Sequence, residues 1–339
     1  MRATPFLPLL LFLCGCRQPA PQGLFTIQLN WLHDPTFSGE YHLANTDGQV
    51  QIRVGGPNIT PLAELQGGRA QAAVVGADIF LQALEADLKT KGTSSLVCFF
   101  IDLQRNPVGW VLHPDAAKRA GYSVDLDQDA TKRNAWLFRQ IASGRLKLGD
   151  KRGTETTAMW VQWKRRHSLP ATVTVVPVGF DTSVVLSAPD LAYPVYLNEE
   201  PYKLSEKIGR PVIVFDPADD GVRAYGNVLV TTRAFLDANR ARIGAIRQSL
   251  TTSWETVRKD IQGTTRLVMG FYKGVSESVV ADQVRKTAEF VFFDQSSAGQ
   301  MDLQPGGKWD TTISGLREAG ILGDSVSLLR LKENFVSTN

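Results

Sequence analysis

Cysteine and histidine are scarce in this chain of 339 residues: three cysteines, Cys14, Cys16 and Cys98, and four scattered histidines, His33, His42, His113 and His167. No two histidines stand at the i,i+4 spacing of a helical metal site. The phosphate-loop pattern, His-Glu-x-x-His and the Gly-x-Ser-x-Gly elbow are missing as well. Charge excess is also lacking, with 37 Lys and Arg against 34 Asp and Glu, a net +3. That balance excludes an electrostatic nucleic-acid binder. Long apolar runs are absent except at the extreme N-terminus, where the run is about half the ~20 residues of a membrane span, so a multi-span transporter is excluded. Carboxylates are numerous, but their spacing picks out no catalytic pair. Nothing points to an enzyme, and no cofactor or metal is expected.

What is present is a globular composition, 43% hydrophobic and 21% charged, over a length that allows two units each with its own core. Residues 1–15 combine a weakly positive start, an apolar block and small residues, the pattern of an export signal. Leu13-Cys14-Gly15-Cys16 is similar to the bacterial lipoprotein signal, in which the final cysteine carries lipid, so Cys16 is the expected anchor and residues 16–23 a flexible tether. With Cys14 removed and Cys16 acylated, Cys98 is left without a partner in an apolar run, where it reads as a small buried hydrophobe.

Beyond residue 24 short apolar segments alternate with helical patterns. Strands are expected at 25–31, 49–54, 72–75, 96–103, 108–112, 172–176, 191–197, 211–215 and 227–231, with helices between most of them. Thr154 is a fitting N-cap for a helix running to about Arg166, whose Lys164-Arg165-Arg166 end complements the helix dipole. From 232 onward the pattern is almost entirely helical; Ile243, Ile246, Leu250, Trp254 and Val257 recur at helical spacing. Boundary signals at Asn106-Pro107 and Phe215-Asp216 divide the chain into one α/β unit of residues 24–106 with 216–339 and a second of 107–215, with a cleft expected between them.

Three stretches carry a resemblance. Residues 29–41, Leu-Asn-Trp-Leu-His-Asp-Pro-Thr-Phe-Ser-Gly-Glu-Tyr, resemble an Asn-Trp…Gly-x-Tyr opening. Residues 192–201, Ala-Tyr-Pro-Val-Tyr-Leu-Asn-Glu-Glu-Pro, resemble a Gly-Tyr-x-x-Asn-Glu segment. The third comprises residues 212–221 with Tyr225-Gly226-Asn227-Val228-Leu229-Val230. In this order they are similar to the bacterial solute-binding proteins related to thiamine-pyrimidine synthases, which bind formylaminopyrimidine and hydroxymethylpyrimidine precursors, with riboflavin, sulfonate and nitrate binders nearby. Residues 120–148 look divergent from that pattern and have no assigned role. The iron-binding cysteine cluster of the enzyme branch is missing, which favours transport over synthesis.

The resemblance implies a two-lobed, periplasmic-binding-protein-like α/β fold of type II that closes on a small ligand and delivers it to an ABC permease. It further implies a monomer held at a membrane by its lipid, facing the periplasm or the cell exterior. For a flat aminopyrimidine, Trp31, Tyr41, Tyr196 and Tyr225 are the candidate stacking rings. Glu199, then Asp34, are the candidate acceptors for an exocyclic amine, and Asn30 and Asn198 can serve either hydrogen-bonding partner. Each also has a packing or capping alternative: core burial for Trp31, a first-turn acid for Glu199, a loop-holding role for Asp34. Thr154 and Thr156 read as caps before anion ligands, and Asp78 as an N-cap. A riboflavin, sulfonate or nitrate ligand, a pyrimidine-synthase-like enzyme and a partner-binding surface lipoprotein are the competing readings.

Overall fold

Runs such as Ala72–Gly76 and Leu96–Ile101 have no polar face, and both become strands buried on both sides, as in sheets covered by helices on each face. The computed structural model describes residues 23–152, 154–169, 173 and 175–336. The export signal, Cys16 and the tether up to residue 22 lie outside the described residues. Among those described, no helix is long and apolar enough to cross a membrane.

The strands are β1 Phe25–Gln28, β2 Val50–Arg53, β3 Ala72–Gly76, β4 Leu96–Ile101, β5 Val108–Leu112, β6 Lys147–Asp150, β7 Val176–Pro177, β8 Leu191–Tyr196, β9 Ile213–Phe215 and β10 Asn227–Thr232. They form two five-stranded sheets, ordered β2-β1-β3-β10-β4 and β7-β6-β8-β5-β9. In the first sheet β1 pairs parallel with β2 and β3, while β10 runs antiparallel between β3 and β4. In the second, β6 pairs parallel with β7 and β8, and β5 runs antiparallel between β8 and β9. The two sheets thus share one plan. In each, the antiparallel strand is the one that emerges directly from a crossover, β5 after residues 102–107 and β10 after 216–226, so the chain passes between the lobes twice.

The helices of the first half are α1 Ser38–Thr46, α2 Pro61–Gln66, α3 Ala77–Lys91, α4 Pro114–Arg119, α5 Ala130–Ala142 and α6 Glu155–Arg166. Those of the second half are α7 Glu200–Ile208, α8 Arg233–Ala238, α9 Arg240–Lys259, α10 Ile261–Phe271, α11 Glu277–Val291, α12 Lys308–Glu318 and α13 Leu328–Lys332. β6 Lys147–Asp150 has no counterpart among the expected strands, and of the strand expected at 172–176 only Val176 falls in a described strand, β7; other differences from the sequence reading sit at element ends. β1 stops at Gln28, leaving Trp31 in a loop, because Asn30 to His33 turn towards the one-turn helix Pro35–Phe37. Asp78 lies inside the first turn of α3, and the N-cap is Gly76. Thr154 does cap α6, its side chain accepting from the Thr156 N–H. Cys98 is a buried free thiol.

The core of the first lobe explains one motif glycine. Trp254 of α9 is fully buried, and its indole N–H donates to Asp102 at 2.8 Å. A Cβ on Gly39 of α1 would stand 2.3 Å from that indole, closer than any side chain can sit. Gly39→Ala is therefore expected to cost about 1–3 kcal/mol through forced displacement of α1 or the indole. Urea unfolding measures this, and an unchanged midpoint would contradict the close approach.

Candidate functional site

A cavity of about 410 Å³ lies where the lobes face each other, within the size range of small-molecule sites. The first lobe supplies the loop after β1, with Asn30, Trp31 and Asp34, together with Asn227 at the start of β10 and Tyr272 just past α10. The second supplies Lys151 and the first turn of α6, Phe180 from the loop after β7, Tyr196 at the end of β8, and the Glu199–Lys203 segment that opens α7.

Of the residues singled out in the sequence, Asn30, Trp31, Asp34, Tyr196 and Glu199 share this wall. Tyr41, Asn198 and Tyr225 are placed elsewhere, each for a definite packing reason. Tyr41 is fully buried beneath the wall, stacked on Phe271 with centroids 4.5 Å apart and its hydroxyl 3.0 Å from His33 Nδ1. Asn198 is also fully buried; its Nδ2 donates to Thr36 Oγ1 at 2.9 Å and Thr287 Oγ1 at 3.0 Å, both on the first lobe, so it ties the lobes together. Tyr225 packs on Trp309 at 4.9 Å, and its hydroxyl accepts from the Asp302 N–H.

The apolar part of the wall is aromatic. Trp31 faces Phe180 across the lobes, with ring centroids 5.1 Å apart and planes tilted 41°. The ammonium of Lys151 sits over the same Phe180 ring at 5.6 Å and over Tyr193 at 5.2 Å.

The polar part is richer in acid than in base: four carboxyls, Asp34, Glu155, Glu199 and Glu200, against two lysines and, among the described residues, no arginine. Both lysines are engaged. Lys151 pairs with Glu200 at 3.4 Å, and Lys203 with Glu199 at 2.5 Å, where Tyr272 also donates at 3.2 Å. Asp34 and Glu155 remain without a lysine at ion-pair distance. Burial, then the charge of Glu199, pushes Asp34 up to about 8. Burial, then the charge of Asp78, pushes Glu155 up to about 8 as well. Near neutral pH both are therefore mostly uncharged acids. Burial lowers the pKa of His33, so it adds no fixed positive charge.

Two amides complete the wall. Asn30 Nδ2 donates to Asn227 Oδ1 at 3.2 Å, which leaves Asn30 Oδ1 and Asn227 Nδ2 buried with no hydrogen-bond partner. Exchanging the amide ends of both residues would still leave one unused acceptor beside one unused donor. The first turn of α6 is not an open anion cradle, since Thr154 already accepts the Thr156 N–H with its side chain and the Thr157 N–H with its carbonyl. Among the described residues no group of three or more His, Cys, Asp or Glu could hold a metal ion.

Several wall residues carry little signal in a sequence. Phe180 and Lys203 sit in a loop and on a helix that read as ordinary surface, and Glu155 reads only as a first-turn acid behind a Thr cap. Asn227 stands inside the third resembling stretch, and its place at the start of a strand beside Gly226 is the signal that could have found it.

Comparison with known proteins bears on this geometry. Residues 151–262, which include the second lobe's contribution to the wall and Asn227, match the family model described as NMT1/THI5 like. That segment, about a third of the chain, is similar to the NMT1/THI5-like family. No curated protein matches it significantly. Among solved structures, the alkanesulfonate-binding protein SsuA of Xanthomonas axonopodis pv. citri, bound to MOPS, superposes with a TM-score of 0.61 at 12% identity, covering 94% of this chain and 99% of that one. The ligand-binding component of an ABC-type import system from Staphylococcus aureus, with zinc bound, gives 0.58 at 14% identity, covering 92% and 99%. A Candida albicans protein described as having the generic periplasmic binding protein fold gives 0.59 at 13%, covering 94% and 97%. At these identities the likeness is one of fold: the NMT1/THI5-like segment sits in a two-lobed α/β fold of the periplasmic-binding-protein kind.

Proposed function

We propose that this chain is the solute-binding subunit of an ABC importer and that its ligand is a planar, amine-bearing heterocycle of the thiamine-pyrimidine-precursor class. Its work is recognition followed by lobe closure, with no bond made or broken in the ligand. Export and lipid attachment at Cys16 belong to the same proposal; they would keep the protein beside its permease.

The observation that carries the ligand class is the wall's charge and edge chemistry. The lysines are already paired, and the remaining acids and the Asn30–Asn227 pair face a ring-sized space bordered by Trp31, Phe180 and Tyr196. A heterocycle with an amino group beside a ring nitrogen presents a donor next to an acceptor, the complement of the unused acceptor and donor on that pair. Its face offers a π surface to the aromatic rings. Sulfonate or nitrate asks instead for unpaired guanidinium or ammonium groups or several free N–H donors, and this wall offers few of them.

A thermal-shift panel separates the readings. Hydroxymethylpyrimidine or formylaminopyrimidine at a hundredfold excess over its Kd should add about 2.7 kcal/mol of stability and raise Tm by several degrees, while riboflavin, an alkanesulfonate and nitrate leave it in place. A shift with the sulfonate and none with either pyrimidine would overturn the proposal.

A further inference from the structure

One acid-rich contact joins the lobes behind the ligand wall. Asp78 lies in the first turn of α3 on the first lobe, and Glu155 opens α6 on the second. Gly76, the last residue of β3, lies against both: a Cβ there would stand 2.5 Å from Asp78 Oδ1 and 3.7 Å from Glu155 Oε2. Having no side chain at that position leaves room for both carboxyls to face the same point of the cleft. Glu155 is held from its other sides as well. The Tyr196 hydroxyl of β8 donates to Oε1, and Asn106 Nδ2 of the first crossover donates to Oε2 at 3.0 Å.

Two carboxylates in such a place cannot both stay ionised at low cost. Their surroundings decide which keeps the proton. Burial raises Asp78 to about 6, but backbone N–H groups of the α3 first turn hydrogen-bond it and favour its charged form. Burial and the charge of Asp78 carry Glu155 higher, against the opposing pull of the Asn106 hydrogen bond and the Lys151 ammonium. The charged or titratable groups facing Glu155 are thus Asp78 on α3, Tyr196 on β8 and Lys151 just past β6. The negative charge rests on Asp78 and the proton on Glu155.

We infer that Asp78 and Glu155 share one proton across the closed cleft, so that Asp78, which is no part of the ligand wall, is the positioning residue that sets the pH range over which the lobes stay shut. This rests on reading the cavity as a cleft that opens and closes on a ligand. Opening separates the carboxyls and admits water, both then ionise nearer their ordinary values, and closure takes the proton back up. A group whose pKa is raised in the closed form favours that form at low pH, and the advantage is lost as pH rises through the raised value. Ligand affinity should therefore fall as pH rises towards about 8, by up to roughly tenfold per pH unit for one linked proton, and level off above it.

Infrared spectroscopy of the protein alone tests the shared proton, through the C=O stretch of a protonated carboxyl followed from pH 5 to 9. The free protein exchanges between open and closed forms, so the difference between wild type and Glu155→Gln should show that band at partial intensity at pH 7, and saturation with hydroxymethylpyrimidine should complete it. In Asp78→Asn, and in Asp78→Ser, which keeps a hydrogen-bond acceptor for the α3 first turn, the Glu155 band should vanish at a lower pH. Calorimetry with hydroxymethylpyrimidine, in two pH 7 buffers of different ionisation enthalpy, should report proton uptake in wild type and less of it in both Asp78 variants. A pH 7 band insensitive to Glu155→Gln, or the same titration midpoint with and without Asp78, overturns the inference. The expected infrared result in the free protein together with no heat from the pyrimidine would instead leave the shared proton standing and remove the ligand reading.

Discussion

Trp31→Ala should weaken binding of hydroxymethylpyrimidine by roughly ten- to a hundredfold, the equivalent of the ~1–3 kcal/mol that one stacked base contributes. Trp31 is half-buried in a loop, with Phe180 of the opposite lobe as its ring partner at 5.1 Å. Trp31 is only partly buried at the edge of the core, so truncating it removes an aromatic face and should lower the melting temperature of the free protein far less than truncating a fully buried tryptophan. Trp31→Phe keeps a smaller face and should recover most of the loss. Isothermal titration calorimetry of the three proteins checks this. Equal affinity in Trp31→Ala would mean that the ligand sits elsewhere in the cavity or is not flat.

Trp254→Ala should have the largest effect on stability, about 3–5 kcal/mol for deleting a buried tryptophan. The indole is fully enclosed, packs against Gly39 and satisfies Asp102. Its loss would leave a buried carboxyl, already pushed up to about 7 by burial, without that donor and with only the buried Glu40 carboxyl as its side-chain hydrogen-bond partner. In a chain of this size the expected fall in Tm is about 4–7 °C. Trp254→Phe, which keeps the ring but not the N–H, should fall between wild type and Trp254→Ala. Thermal unfolding of the three decides it; equal losses for Phe and Ala would put the whole effect on the hydrogen bond.

Much of the fold was legible because it depends on local pattern. The apolar runs at 72–75, 96–103 and 108–112 and the helical spacing of Ile243, Ile246, Leu250 and Trp254 report burial directly, and the structure has strands and a helix there. The pairing of β5 and β10 as inserted antiparallel strands was not legible, because partner choice between strands far apart in sequence leaves no local trace. The site divides in the same way. Trp31, Asp34 and Glu199 stood inside recognisable stretches. Tyr41 and Tyr225 stood there too, yet they pack beneath and beside the wall, since a ring's type does not tell which side of its element faces the cavity. Asn198, next to Glu199 in the chain, turns the other way and ties the lobes through Thr36 and Thr287. Glu155, Phe180 and Lys203 matter through what the opposite lobe brings near them, which no single stretch encodes.

The most direct test is a crystal structure of the protein purified from its native host, with mass spectrometry of whatever molecule leaves the cavity. A flat nitrogen heterocycle lying against Trp31 and Tyr196, its amino edge on Asn30 and Asn227, is the predicted result. A sulfonate or another anion gripped by Lys151 and Lys203, with the rings standing clear of it, would contradict the account.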